Sequence, residues 1–488
     1  MSGRHNVIWL GSNAPHDLAA KLRLRGLTLQ ENPALGLDKR HITLANARAI
    51  IISVRDDKDT LLDKAKGGLA DVALAHGLSV YMLVPLEAVD AIAGHFPNWV
   101  QHGKLEILTE EAVDDVIKGI TDSPGRAYKK DIRISDPSPK FTAEEEILLK
   151  RAFGDAKEVS LSRLSGGASA KVFKAFAILE DSRAGPHPLP FFVKFDRRPK
   201  ILRELRNYDD CTTLFVPFWA RPNLDRTRCA VGCERGILVG NFIEFSRSLS
   251  DHVRDGTAAR PIHSLFADAL QGWRRQAFVD SSSHRNQPLA KSLGGAAYTS
   301  TKPEAYDRAS IVAKRASAIG ATRGLDELAT AIDGLRSVEH RCAIAHGDLH
   351  PDNVQVRDGQ AILIDFASTT TAPLSVDPAS LDTALVLQAT GINEIDWREF
   401  VVDIFSIETL RTLPSPGKPN APMALLRDAI REIRRFALPD LLDADEYAMA
   451  IAISLFRHAF RPPRDGEPTD RRAYLFAAAD KLVTTLVR

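Results

Sequence analysis

The sequence predicts two folding units: an α/β domain with a parallel sheet over residues 1–122 and, beyond a linker at 123–141, an α+β domain of two lobes over 142–488. Three observations carry this. Short apolar runs alternate with helical stretches through the first 120 or so residues, the pattern of a sheet wrapped by helices. Turn formers and charges then crowd the segment from Asp122-Ser123-Pro124-Gly125 to Asp136-Pro137-Ser138-Pro139. Beyond it, strand-like alternation over 142–246 gives way to helical spacing over 247–488.

In the first domain the strand patterns fall at 6–11, 49–54, 78–85 and 105–108, with one more at 27–30, and the helical ones at 15–24, 58–76, 86–95 and 110–120. Such alternation implies a parallel sheet with helices on both faces, flavodoxin-like or receiver-like. A phosphate-accepting receiver needs acidic residues after its first strand, an aspartate after the middle strand and a lysine near the last. Asp56 and Asp57 follow the middle strand, but Ser12-Asn13 follow the first, so the opening acidic pair is absent. The expectation is a receiver-like interaction or sensing module that offers a surface to a protein partner, rather than an active phosphoacceptor.

The second domain opens with Thr142-Ala143-Glu144-Glu145, a capping-box pattern heading a helix that stops at Gly154. Strands at 159–164 and 171–178 flank Ser165-Gly166-Gly167-Ala168-Ser169, a small-residue turn whose backbone N–H groups suit phosphate oxygens. Alone, the glycine pair is weak evidence and fits an ordinary hairpin turn better. Pro190-Phe191-Phe192-Val193-Lys194-Phe195 is an apolar strand with one lysine, a residue that needs a partner when buried. Phosphate oxygens and Glu204, on a helical stretch at 201–208, are the candidate partners. The alternatives are a snorkelling lysine and a solvated glutamate. The strand at 237–239 leads into 241–244, where a hinge is expected to offer backbone groups to an adenine.

Residues 249–340 are mostly helical, with Trp273 assigned to the core, and further helices are expected at 425–437, 446–460 and 473–487. Among them stands Ala345-His346-Gly347-Asp348-Leu349-His350-Pro351-Asp352-Asn353, followed by two alternating apolar runs joined by Asp358-Gly359 and then Ile364-Asp365-Phe366. Asp-Gly between such runs marks a two-residue hairpin. A hairpin returns its ends to one place, so Asn353 and Asp365 are expected side by side with Asp348 just before them. That grouping suits phosphoryl transfer, in which the protein positions reactants and neutralises charge. The Asp365 carboxylate and the Asn353 amide oxygen are hard donors for Mg2+, and Asp348 is placed to take a proton from an acceptor hydroxyl. His346 is expected to bond the backbone near Asp365, and either Asp377 or Asp382 to brace the loop.

With these parts in chain order, residues from about 155 to 488 resemble the aminoglycoside phosphotransferase branch of the protein-kinase-like superfamily. More narrowly they are similar to bacterial phosphotransferase domains described as ternary complex associated. The resemblance rests on Leu164-Ser165-Gly166-Gly167, Phe192-Val193-Lys194, Arg203-Glu204 with Asn207-Tyr208, the stretch from His346 to Asn353, and Ile364-Asp365-Phe366-Ala367. It implies ATP and Mg2+ as cofactors, Asp348 as catalytic base, Asn353 and Asp365 as metal ligands, Lys194 on the ATP phosphates and Glu204 orienting Lys194. Gly347 stands where many regulated protein kinases carry arginine, and Ala367 where they have glycine, which points away from a conventional protein kinase.

The chain has 488 residues, 44% of them hydrophobic, and a formal charge of +1, so no global attraction to nucleic acid is expected. No apolar run approaches the roughly 18 residues of a membrane span, and a cytoplasmic location is expected. The four cysteines fit a reducing compartment, and Cys229 with Cys233 has no second close pair of Cys or His to complete a zinc site. The sequence therefore supports an ATP- and Mg2+-dependent phosphotransferase acting on a hydroxyl of a small-molecule acceptor, with nucleotide and protein acceptors as the other options. The alternative is a pseudokinase or nucleotide-sensing regulatory scaffold.

Overall fold

The structure is a computed structural model that describes residues 6–487 apart from 12, 26, 32–46, 57, 66–78, 97–104, 123–130, 136–140, 165–169, 181–186, 232–234, 280, 294–302, 417–421, 464–466 and 469. By internal contacts the chain divides into a first unit, residues 1–203 with 223–242, and a second unit, residues 204–222 with 243–488.

The first unit opens with five strands, β1 Asn6–Leu10, β2 Thr28–Glu31, β3 Ala47–Ser53, β4 Ser79–Val84 and β5 Leu105–Thr109. They pair in parallel in the order β2-β1-β3-β4-β5, which is the flavodoxin-like doubly wound order. Strand alternation sends Val7, Trp9, Ile51 and Tyr81 to a face covered by α1 (Leu18–Leu24) and α2 (Val113–Asp122). It sends Ile8, Ile50, Ile52 and Met82 to the other face, where Leu62 and Ile92 pack. The sheet is thus buried on both sides, as its uninterrupted Ile and Val runs require. Asp56, at the carboxyl end of β3, spends a carboxylate oxygen on the Lys58 N–H at 2.9 Å; Asp57 lies outside the described residues.

The second sheet of this unit is built from β6 Arg133–Ser135, β7 Ala156–Leu164, β8 Lys171–Leu179, β9 Leu189–Arg197, β10 Ala230–Val231 and β11 Arg235–Asn241, in the order β10-β11-β9-β8-β7-β6. The linker expected at 123–141 is therefore not linker throughout. Residues 133–135 pair in parallel with β7 as an edge strand, because Ile132 joins the apolar layer beneath the sheet and the partly buried Ile134 packs against it. That layer is completed by α3 (Ala143–Ala152), whose capping box is formed: Thr142 Oγ1 accepts from Glu145 N–H at 3.2 Å, and the Glu145 carboxylate accepts from Thr142 N–H at 2.9 Å. Glu145 also pairs with Lys171 and Arg235 from the sheet, fixing the helix across the strands.

In the second unit, β14 Val338–Ala345 lies between β13 His284–Gln287 and β17 Thr370–Pro373, all antiparallel. A separate hairpin, β15 Val354–Arg357 with β16 Gln360–Leu363, is edged by β12 Arg247–Ser248. Asp358 (φ 54°) and Gly359 (φ 77°) both adopt the left-handed conformation that the tight two-residue turn needs. The helical core centres on α4 (Val376–Gln388), buried along nearly its whole length against α5 (Pro422–Ala437), α6 (Glu446–Arg457) and α7 (Arg471–Val487). A fully buried ion pair, Arg434 Nε to Asp382 at 2.8 Å, ties α5 to α4, and the Tyr447 hydroxyl donates to the same carboxylate oxygen. Among the described residues no helix is long and apolar enough to cross a membrane.

Candidate active site

The site is built where β14 ends. Gly347 takes φ +75°, turning the chain sharply, and a Cβ there would stand 2.3 Å from the Ser368 carbonyl oxygen, so only glycine fits. Asp377, one residue into α4, reaches back: Oδ2 accepts from His346 N–H at 2.7 Å and Oδ1 from Gly347 N–H at 3.0 Å. Of the two aspartates that sequence offered as a brace, Asp377 takes the role and Asp382 belongs to the Arg434 pair. His346 is fully buried, and its Nε2 bonds the Ile364 carbonyl at 2.9 Å, tying the loop to the hairpin as the sequence suggested.

The next residues are fixed by that frame. Leu349 is buried, and Asn353 turns its Nδ2 to the Asp348 carbonyl at 2.9 Å. The amide nitrogen is spent there, which leaves the oxygen as this side chain's candidate metal donor. The β15–β16 register places Val354 opposite Leu363, and Ile364 N–H donates to the Asn353 carbonyl at 3.0 Å, so Asp365 follows directly beside Asn353. Asp365 is held at φ 63°, ψ 74°, a left-handed conformation rare outside glycine.

Phe366 keeps it there. Its buried ring packs edge-on to Tyr208 at 6.1 Å and Trp273 at 6.3 Å and lies beside His346 at 5.8 Å. Asn207 Nδ2 donates to the carbonyls of Phe366 at 2.9 Å and Thr369 at 3.1 Å, so a helix end holds the turn from behind. Trp273, 1% exposed, donates from Nε1 to the Cys211 carbonyl at 3.1 Å, which makes it a core residue supporting this turn.

About a third of the Asp348 side chain remains exposed, and its Oδ1 accepts from Arg461 Nη2 at 2.6 Å. Burial opposes its ionisation and Asp365 repels it, but the Arg461 charge, helped by His350 and His346, outweighs both and holds the carboxyl below its ordinary value. Arg461 went unnoticed in the sequence. Its only signal there is the pair Arg457 and Arg461, four apart at the end of a helix, 113 residues beyond the aspartate it meets.

Beside this contact lies a small open pocket lined by Gly347, Ser380, Ser454, Arg457, His458 and Arg461 together with apolar side chains. Arg472 fixes the turn that carries the arginines, donating from Nη1 to the His458 carbonyl at 2.6 Å and from Nη2 to the Pro462 carbonyl at 3.0 Å.

The structure thus brings Asp348, Asn353 and Asp365 together in the second unit. Glu204, also there, is 5% exposed one turn before Tyr208. Lys194 lies in the first unit on β9. Val193 and Phe195 belong to the apolar layer under α3, so Lys194 points to the opposite face of the sheet, where it is 5% exposed. Ser165, Gly166, Gly167 and Ser169 fall outside the described residues.

Residues 256–391, which contain the loop, the hairpin and the Asp377 brace, match the model described as the phosphotransferase enzyme family. This segment is similar to that family. Solved structures similar to the chain include a glucosamine kinase (13% identity, 68% of this chain and 92% of that one, TM-score 0.31). An aminoglycoside phosphotransferase from Streptomyces rimosus follows at 14% identity, 58% and 97% coverage and TM-score 0.30. A putative fructosamine-3-kinase from Haemophilus somnus stands at 11% identity, 70% and 96% coverage and TM-score 0.36. No curated protein matches the chain. The structural likenesses are too slight to add weight to that similarity.

Proposed function

We propose that this chain is an ATP- and Mg2+-dependent phosphotransferase that moves the γ-phosphoryl group of ATP to a hydroxyl of a small-molecule acceptor. One observation carries the reading: a carboxylate, an amide oxygen and a second carboxylate (Asp365, Asn353 and Asp348) gathered at one hairpin end and locked by His346 and Asp377. The donor set fits magnesium, being all oxygen and supplying only part of an octahedral shell, with phosphate oxygens and water for the rest. Bound there, the ion supplies charge neutralisation on the transferring phosphoryl group.

The chain's own residues do the remainder. Asp348 faces the acceptor, orients its hydroxyl and takes the proton as the oxygen attacks the γ-phosphorus. The bond from that phosphorus to the β,γ-bridging oxygen breaks, and its electron pair leaves on ADP. Asp365, held in its strained turn by Phe366 and Asn207, and Asn353, fixed through its Nδ2, present preorganised oxygens that need not move during reaction. Lys194 is proposed to meet the nucleotide phosphates and Glu204 to orient it; the buried, outward-turned lysine on β9 supports this, as does the resemblance in motif order. The turn at Ser165, Gly166, Gly167 and Ser169 is proposed to cover the phosphates. The amino-terminal domain is proposed to act as a receiver-like control or interaction module, supported by its flavodoxin-like strand order.

The test is transfer of label from γ-labelled ATP to a metabolite extract. Wild type is expected to give labelled product and Asp348→Ala none; label transfer by Asp348→Ala at the wild-type rate would refute the assignment.

A further inference from the structure

The cavity beside Asp348 has a chemistry of its own. Arg457 and Arg461 line it with His458, and Ser380 and Ser454 add neutral polar groups; among the described residues that line it there is no Asp or Glu. Arg461 is shared with Asp348, since its Nη2 stands 2.6 Å from Oδ1. Through Arg461 the cavity adjoins the carboxylate proposed as base.

A polyamine acceptor would be badly served here. Its ammonium groups would meet two guanidinium groups, and the adjoining carboxylate, Asp348, is already paired with one of them; like charges at close range repel strongly. An anionic group fits: guanidinium presents a rigid fork of N–H donors matched to carboxylate and phosphate oxygens. The arginines are also held in place. Both sit on the helix end and turn that Arg472 clamps through the His458 and Pro462 carbonyls, and His458 Nε2 is anchored to the Thr383 hydroxyl at 3.2 Å.

From this we infer that the acceptor is an anionic alcohol, a small molecule that carries a carboxylate or phosphate group bound by Arg457 and Arg461 and presents its hydroxyl to Asp348. The inference rests on the phosphotransferase reading above and adds the class of acceptor to it. It also gives the Arg461–Asp348 contact a role. With no acceptor bound, Arg461 pairs with Asp348; the acceptor's anion draws the guanidinium away, and the freed oxygen receives the hydroxyl proton. The bonds made and broken are those of the γ-phosphoryl transfer already described.

A metabolite extract divided by anion exchange supplies the test. The retained and unretained fractions are each incubated with the full chain, Mg2+ and γ-labelled ATP. Product is expected from the retained fraction. Label only from the unretained fraction, or from neither, overturns the inference. Calorimetry with Mg-ATP on the same preparation separates the two levels: nucleotide binding without label from the retained fraction discards the acceptor class alone, whereas no nucleotide binding discards the phosphotransferase reading too.

Treating the retained fraction with alkaline phosphatase, then removing the enzyme, distinguishes the anion. Lost labelling identifies a phosphate ester and surviving labelling a carboxylate. Arg457→Met is expected to raise the acceptor KM at least tenfold, with Arg457→Lys recovering much of it. An unchanged KM in Arg457→Met, or equal loss in both variants, would remove Arg457 from the anion site.

Discussion

Removing the Asp377 carboxylate is expected to damage both stability and turnover. Its two oxygens each accept a backbone N–H, from His346 at 2.7 Å and from Gly347 at 3.0 Å, and His346 is fully buried. A hydrogen bond to a charged group contributes about 1.5–3 kcal/mol, and a buried donor left without a partner incurs a desolvation cost of similar size. Asp377→Ala strands both donors, so a loss of about 4 kcal/mol is expected. Asp377→Asn retains one acceptor and should lose roughly half of that. The loop carrying Asp348 hangs from these bonds, and a displacement of about 1 Å is enough to reduce a rate about 100-fold. Urea unfolding followed by tryptophan fluorescence reads the stability, and label transfer from γ-labelled ATP reads the rate. Asp377→Ala within about 1 kcal/mol of wild type, with unimpaired transfer, would refute the reasoning.

Two further perturbations follow from the same geometry. Gly347→Ala must hold a side chain at φ +75° with its Cβ 2.3 Å from a backbone oxygen; the conformation alone costs about 1–2 kcal/mol, and the clash displaces the loop, so a lower melting temperature and loss of transfer are expected, while a fully active variant would contradict the turn. Burial pushes the Glu446 carboxyl from its ordinary 4.5 up to about 7, against the pull of Ser375, the Leu442 backbone and Arg341. Because the folded-state value is raised, the folded protein holds this proton more tightly: below pH 4.5 both states are protonated and nothing is lost, and as pH rises to 7 the folded state loses about 3 kcal/mol relative to the unfolded one. Glu446→Gln removes the titration, so its stability relative to wild type should improve across that window and level off above it. Parallel urea midpoints at pH 4.5 and 8 for the two proteins would contradict this.

Much of the site was legible because its parts are local. Asp358-Gly359 between alternating runs fixed the hairpin, and the hairpin placed Asn353 beside Asp365 without any tertiary knowledge. The His346 bond to the Ile364 carbonyl followed from the same closure. Residues 133–135 read as linker because turn formers surround them, and the buried Ile132 with the partly buried Ile134 outweighs that composition. Arg457 and Arg461 were invisible for a different reason. A basic pair at a helix end ordinarily signifies a favourable interaction with the helix dipole, and only the packing of α6 against α4 brings it to a loop more than a hundred residues earlier. Of the two candidate braces, helix geometry chose: Asp377 sits in the first turn of α4, where it can reach back to β14, and Asp382 lies over a turn deeper, facing Arg434.

The central claim is that Asp365 and Asn353 hold a magnesium–nucleotide complex while Asp348 serves the acceptor. Nucleotide affinity measured by calorimetry with and without Mg2+, on wild type, Asp365→Ala and Asp348→Ala, tests it most directly. Wild type and Asp348→Ala are expected to bind ATP in a magnesium-dependent way with similar affinity, and Asp365→Ala to lose that dependence. Equal, magnesium-independent affinity in all three would contradict the account.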